Sequence, residues 1–230
     1  YNMNVLVTGG KGFLGTAFSK LNTDKNYILP SSENLDMSNP KKIKLFSELN
    51  KDVDIIVFNG YKTPIELFDT TDENQLEYRL FGEDGSIYEQ FSEDLTEAFK
   101  IYINNIYLLS LYKESVKAVF FLTTGTEIDY YKESIYRSSK NFGWNFLKRN
   151  SFNPEFKHIP TYCIHPGHMD TEENYIKSSR NLDALIRQYF RLENRGHYVF
   201  DTDTPSHSKL ITIEETSTPF LTQYTLPDED

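Results

Sequence analysis

The apolar positions of the chain fall into short continuous runs, separated by stretches in which they recur every three or four residues. Val5-Leu6-Val7, Val53-Asp54-Ile55-Ile56-Val57-Phe58 and Ala118-Val119-Phe120-Phe121-Leu122 are nearly all apolar. Such runs predict parallel strands covered on both faces. Tyr27-Ile28-Leu29, Leu35-Asp36-Met37, Pro160-Thr161-Tyr162-Cys163-Ile164 and Tyr198-Val199-Phe200 are read as shorter strands. Helical repeats lie between them. Ser38-Asn39-Pro40 opens one with cap chemistry and an early proline, and Ile43, Phe46 and Leu49 are its expected buried stripe. Phe99, Ile103, Ile106 and Leu109 mark a helix over 95–112. Trp144 and Leu147 share a face with Tyr136 over 134–149, and Leu182, Leu185, Ile186 and Tyr189 mark a helix over 182–192. Strands alternating with helices predict a doubly wound parallel sheet in three α/β/α layers, a single domain over residues 1–230.

The chain is organised around Thr8-Gly9-Gly10-Lys11-Gly12-Phe13-Leu14-Gly15. It follows the first apolar run and leads into Ala17-Phe18-Ser19-Lys20-Leu21, which has helical spacing. Glycines there let the backbone turn sharply and let a pyrophosphate approach. The helix that follows offers free N–H groups and a positive partial charge to phosphates. The stretch therefore predicts a nucleotide site.

Two segments break the alternation. From Glu66 to Glu97 there are eleven Asp or Glu and one base, Arg79. This acidic excursion, 61–97, predicts solvated structure with a helix or two, placed where a lid over the carboxyl edge of the sheet would lie. After Asp201 the chain is rich in Thr, Pro and Ser, so 202–230 reads as a wrapped tail.

Composition narrows the class of partner. The formal net charge of -10 argues against a general binder of nucleic acid or anionic membranes. No apolar run approaches the ~18 residues of a spanning helix. The single cysteine, Cys163, cannot form an intrachain disulfide, which fits a reducing, cytoplasmic setting. Cys163 sits in an apolar run and reads as a core residue. His165, His168, His197 and His207 with Asp170, Asp201 and Asp203 lack the paired spacing of a zinc site, so no metal is expected.

Candidate chemistry gathers at the predicted carboxyl ends of the strands, where ligands of such sheets bind. Tyr136 and Lys140 are four apart on one helical face. An ammonium beside a phenol favours the phenolate and lowers its pKa. Tyr136 is then a general acid for an alkoxide formed by hydride transfer, or a base in the reverse direction. Thr124, with Thr123 and Thr126 as alternatives, offers a hydroxyl to the substrate oxygen.

Five motifs in order give the chain a resemblance to the short-chain dehydrogenase/reductase family over about Met3 to Asp201. Thr8-Gly9-x-x-Gly12-x-x-Gly15 resembles the glycine motif of its extended branch. Asp36 resembles the Asp that contacts adenine, and Asn59-Gly60 the turn beneath the adenine ribose. Tyr136-x-x-x-Lys140 resembles the catalytic pair. His165-Pro166-Gly167, with Thr171 four later, resembles the segment that holds the nicotinamide amide. The segment 34–62 is also similar to sugar-nucleotide reductases of the dTDP-4-dehydrorhamnose reductase type.

The resemblance implies a Rossmann-like fold and an NAD(P)-dependent oxidoreductase acting on a small-molecule carbonyl or a nucleotide sugar. Its catalytic residues would be Tyr136, Lys140, Thr124 and Asn104. Cofactor contacts would come from Gly9, Lys11, Gly12, Phe13, Leu14, Gly15, Ser31, Asp36, Asn59, Gly60, Lys140, Pro166, Gly167 and Thr171. The family has Ser where this chain offers Thr. Its extended branch has a larger C-terminal substrate region than this chain can hold. A cofactor-binding sensor without turnover and a sugar-nucleotide epimerase or dehydratase are the rival expectations. NADP(H) is expected over NAD(H). The second strand ends on Pro30-Ser31-Ser32 without an immediate carboxylate, and Lys11 lies in the glycine turn; Glu33 is the residue that could reverse the choice. The Tyr136 helix often builds a family dimer. Here Arg137, Asn141, Asn145 and Lys148 make its opposite arc polar, so a homodimer stays open.

Overall fold

The computed structural model describes residues 2–62, 86–123, 135–166, 171–192, 194–201, 209–213 and 222–225. Its strands are β1 (Asn4–Val7), β2 (Asn26–Ile28), β3 (Ile55–Phe58), β4 (Ala118–Leu122), β5 (Thr161–His165), β6 (His197–Asp201), β7 (Lys209–Ile213) and β8 (Thr222–Thr225). The helices are α1 (Phe13–Phe18), α2 (Pro40–Leu49), α3 (Ser86–Tyr112), α4 (Ile135–Ser151) and α5 (Glu172–Ile186). One sheet runs in the order β2-β1-β3-β4-β5-β6-β7-β8. β1 to β6 pair in parallel, and β7 and β8 add on antiparallel.

Alternate strand residues go to opposite faces, so each continuous apolar run feeds two cores. Leu6, Ile56, Phe58, Val119, Phe121 and Cys163 pack with α2, α3 and α4. Val5, Val7, Ile55, Val57, Phe120 and Leu122 pack with α1 and α5. Burial on both faces is why these strands read as unbroken apolar stretches. Gly143 lets α4 close on α3: a Cβ there would lie 2.6 Å from the Tyr102 ring.

The chain goes from β1 out to β2 and returns to β3 on the other side of β1, which makes the β1–β3 edge the topological switch point. Thr8 closes it. Its backbone N–H donates to the Val57 carbonyl at 3.0 Å, and its Oγ1 accepts from the N–H groups of Asn59 at 3.0 Å and Gly60 at 2.9 Å. Gly9 has φ of 67°, a left-handed conformation that glycine adopts without strain. A Cβ on Gly10 would lie 2.4 Å from the Leu29 Cα.

At the opposite end of the sheet a buried polar clamp fixes α5 to β2. Asp183 accepts from Tyr27 Oη at 2.6 Å and Thr23 Oγ1 at 2.9 Å, and pairs with Lys25 at 3.0 Å. Burial, then the Asp183 carboxylate, push the Tyr27 phenol well above its ordinary range.

Several expectations need correction. Leu35-Asp36-Met37 forms no strand; Asp36 Oδ1 instead accepts from the Ser38 N–H at 2.9 Å and Oγ at 2.7 Å, a local bond that competes with sheet pairing. Leu35 and Met37 are buried all the same. The α2 cap is as expected, with Asn39 accepting from the N–H groups of Lys41 and Lys42, but Leu49 is 75% exposed at the last turn. The buried face of α3 runs through Ala98, Ile101, Tyr102, Asn105, Leu108, Leu109 and Tyr112, so Ile103 points outward. α5 starts ten residues before 182, where Thr171 caps it by accepting from the Asn174 N–H. The stretch read as a tail carries β7 and β8; the apolar Leu210, Ile211 and Ile213 of β7 suit a strand paired on both sides, between β6 and β8. Residues 63–85 of the acidic excursion lie outside the described residues, and from Ser86 the rest belongs to α3.

The glycine contacts at the turn generate a direct test. Gly10→Ala forces backbone against backbone at Leu29 and should cost about 1–3 kcal/mol, read as the shift in urea midpoint. Lys11→Ala, one residue on and exposed, should stay within about 0.5 kcal/mol of the parent.

Candidate active site

A cavity of about 370 Å³ opens at the carboxyl ends of β1, β3, β4 and β5. Gly9, Gly12, Phe13 and Leu14 line it from the glycine turn, and Asn59, Gly60 and Tyr61 from the end of β3. Leu122 and Thr123 come from β4, Pro166 follows β5, and Tyr136 and Lys140 of α4 and Tyr175 of α5 complete the wall. Residues more than a hundred positions apart meet here because parallel strands all end at one edge.

The turn is built for close approach. The Gly12 N–H donates to the Gly9 carbonyl at 2.9 Å, and Gly12 stands at the N-cap of α1. Helix geometry leaves the N–H groups of Phe13, Leu14 and Gly15 without intrahelical acceptors. A Cβ at Gly15 would lie 2.3 Å from the Gly10 carbonyl oxygen, so Gly15 lets α1 pack onto its own turn without itself lining the cavity.

Lys140 is 3% exposed and its Nζ donates to the Leu122 carbonyl at 3.2 Å. The same Nζ lies 4.2 Å from the Tyr61 ring centroid and 5.7 Å from that of Phe121. Burial lowers its pKa from 10.5 to about 7, with the Cys163 thiol pushing weakly the other way. Tyr136 moves opposite to the expectation. Burial raises its pKa first, and Tyr61, through charge and a hydrogen bond, then Tyr102 and Tyr175 raise it further. The physical reason is that Lys140 is turned to a carbonyl and a ring face and its own charge is disfavoured by burial, so among the described residues no lysine charge offsets the burial of the phenol.

Other expected residues lie elsewhere. Lys11 and Thr171 line a neighbouring cavity of about 610 Å³ with Lys20 and Glu172, beyond the stacked rings of Phe13 and Tyr175. Asp36 is engaged by Ser38, and the Ser31 carbonyl accepts from the N–H groups of Asn34 and Leu35 in a turn after β2. Asn104 is not brought to the cavity; its buried amide donates to the Met37 carbonyl at 2.8 Å and ties α3 to the segment before α2. Thr124 and Gly167 lie outside the described residues, as do His168, Asp170, Asp203 and His207. Among the described residues no cluster of His, Cys, Asp or Glu is arranged to hold a metal.

Tyr61 and Tyr175 are wall residues that sequence reasoning passed over. Each had a positional signal. Tyr61 directly follows Asn59-Gly60, and Tyr175 lies one helical turn beyond Thr171.

The low Lys140 pKa has a stability consequence. Below 10.5 the unfolded chain takes up this proton before the native state does, so stability is lost as pH falls from about 10.5 to about 7 and levels off below. Lys140→Met should remove that slope. The gap between variant and parent unfolding free energies should grow by a few kcal/mol, at about 1.4 per pH unit, between those limits. Parallel pH curves would contradict a buried lysine whose pKa is lowered.

Neither a protein-family profile nor a curated protein matches this sequence. Solved structures do match. An oxidoreductase of the short-chain dehydrogenase/reductase family from Brucella ovis, in complex with a partially ordered NAD, is matched over 87% of this chain and 100% of its own, at 14% identity and TM-score 0.56. A short chain dehydrogenase/reductase family protein is matched over 86% and 94%, at 11% identity and TM-score 0.57. The KRED1-Pglu enzyme is matched over 82% and 88%, at 16% identity and TM-score 0.52. Against a GDP-6-OMe-4-keto-L-xylo-heptose reductase from C. jejuni, this chain spans 46% of the other's length at TM-score 0.47, too loose a superposition to speak to substrate. The chain has the Rossmann-like fold of the short-chain dehydrogenases/reductases.

Proposed function

We propose that the chain is an NAD(P)-dependent oxidoreductase acting on a carbonyl or secondary alcohol of a small molecule, a nucleotide sugar among the candidates. One observation carries this reading. The glycine turn at the switch point and the Tyr136–Lys140 pair, 121 residues or more from Gly15, wall the same cavity as Gly9, Asn59, Gly60 and Pro166.

A dinucleotide fits the residues present. Side chains are absent where a pyrophosphate must come close: a Cβ on Gly9 would lie 3.0 Å from the Gly60 Cα, and one on Gly12 3.2 Å from the Gly9 carbonyl oxygen. Gly9, Gly12, Phe13 and Leu14 would hold the phosphates, and Lys140, Asn59 and Pro166 the nicotinamide half. When bound, a reduced nicotinamide supplies the hydride for a carbonyl carbon. Tyr136 supplies the proton for the carbonyl oxygen, and its raised pKa keeps that proton in place at neutral pH. Thr123 or Thr124 would hold the oxygen by its hydroxyl. Thr123 is buried at the cavity wall.

A second reading, cofactor binding without turnover, is favoured by one observation: Lys140 Nζ faces Leu122 and Tyr61, and among the described residues no lysine lowers the raised Tyr136 phenol. We also propose a homodimer contact at the α3–α4 seam, where Phe142 and Ile103 are 37% and 49% exposed and the Phe99 ring centroid lies 4.5 Å from that of Phe142. The lone, buried Cys163 suits a reducing, cytoplasmic setting.

Tyr136→Phe should abolish turnover with a carbonyl panel while changing dinucleotide affinity by no more than a few-fold. Retained affinity with no turnover in the parent would select the second reading. For cofactor choice, NADPH should bind about one to two decades more tightly than NADH, and Lys11→Ala should erase most of that ratio, as expected of one charge-assisted phosphate contact. Paired titrations read both; an unchanged ratio would remove Lys11 from phosphate recognition.

A further inference from the structure

Tyr61 touches both residues on which the proposed chemistry depends. Its ring centroid lies 5.4 Å from that of Tyr136, and the two phenols share a hydrogen bond. The Lys140 Nζ stands 4.2 Å from the Tyr61 centroid and 5.7 Å from the Phe121 centroid. Among the described residues the Leu122 carbonyl at 3.2 Å is the polar partner of this ammonium. Among the described residues no carboxylate contributes to its titration; Cys163 of β5 is the titratable group that does.

We propose that Tyr61 is a positioning residue whose ring face offsets part of the cost of burying the Lys140 ammonium, with its hydroxyl tied to Tyr136 to hold the ring in place. Two opposed effects are in balance here. Taking an ammonium out of water favours the neutral amine. A π face against a desolvated cation favours the charged form, by an amount that grows as water is excluded. Lys140 is 3% exposed, and beside the Leu122 carbonyl the Tyr61 ring is the nearer of two π faces that act as a counterweight. The neighbours of Tyr136, namely Tyr61, Tyr102 and Tyr175, all favour its neutral form. Tyr61 is 46% exposed at the cavity wall, so a ligand that drew it aside would also discharge Lys140.

The proposal deepens the oxidoreductase reading and rests on it for its meaning in turnover, but its test needs neither cofactor nor substrate. The Nζ shift of Lys140 would be followed from about pH 5 to pH 10 in full-length protein carrying ¹⁵N-lysine, with Lys140→Met giving the assignment. Tyr61→Phe keeps the ring and should titrate within about 0.3 unit of the parent. Tyr61→Trp, with a larger π face, should titrate at or above the parent. Tyr61→Leu should lower the midpoint by about half a unit or more, a threefold or larger change in the protonation equilibrium. A Leu midpoint equal to the parent's would overturn the proposal. So would a Phe midpoint as low as Leu's, which would assign the effect to the hydroxyl. If Tyr61→Leu does not fold, a Trp midpoint below the parent's overturns the proposal in its place. NADPH titration of the same samples separates the two claims: a parent that binds no dinucleotide sinks the proposed function and leaves the Tyr61 result standing.

Discussion

The structure depends on how closely two backbones meet at the end of β1. Thr8 Oγ1 receives the N–H groups of Asn59 and Gly60, and Gly9 lies against Gly60 with no side chain between them. That contact sets the ends of β1 and β3 side by side at the switch point, and it leaves a shallow floor rather than a filled one. The later strands β4 and β5 and the helices α4 and α5 bring residues to this floor. β4 and β5 are brought parallel to β3, so Leu122, Thr123 and Pro166 stand at the same edge. α4 then crosses back over Phe121 and lays Tyr136 and Lys140 along the rim.

Burial sets the electrostatics of the site. Phe13, Tyr61, Tyr136 and Tyr175 wall the cavity, and Lys140 in it is 3% exposed. Burial moves both toward neutrality, the lysine down and the phenol up. The Tyr–Lys pairing that a four-residue spacing suggests is therefore not a standing ion pair. The two groups are linked through Tyr61, whose ring faces one and whose hydroxyl binds the other.

Much of this was legible in the sequence because it rests on short-range rules. The apolar runs of β1, β3, β4 and β5 mark strands covered on both faces. Ser38-Asn39-Pro40 marks a capped helix start, and the glycines of 9–15 mark the turn. The failures fall where a long-range partner decides. Asn104 looked free for chemistry, but a buried amide must find an acceptor, and it finds the Met37 carbonyl 67 residues away. Leu49 and Ile103 kept the helical repeat yet lie outside the buried arc, because neighbouring elements cover only part of each helix. Asp36 broke a strand by bonding its own turn. Tyr61 carried no periodic or motif signal beyond its place after Gly60, and its role follows from the approach of Lys140, 79 positions on.

The central claim is that the cavity at the β1–β3 edge holds a nicotinamide dinucleotide. Trp144, the only tryptophan of the chain, lies buried on α4 two turns beyond Tyr136 and can report on it. A reduced nicotinamide in that cavity should quench Trp144 emission by energy transfer, with a saturable rise in dihydronicotinamide emission. Gly9→Val, whose side chain would press on Gly60 from a left-handed backbone, should abolish both signals while Trp144 keeps its native emission. No transfer in the parent at saturating NADPH and NADH, or equal transfer in the Gly9→Val protein, would contradict the account.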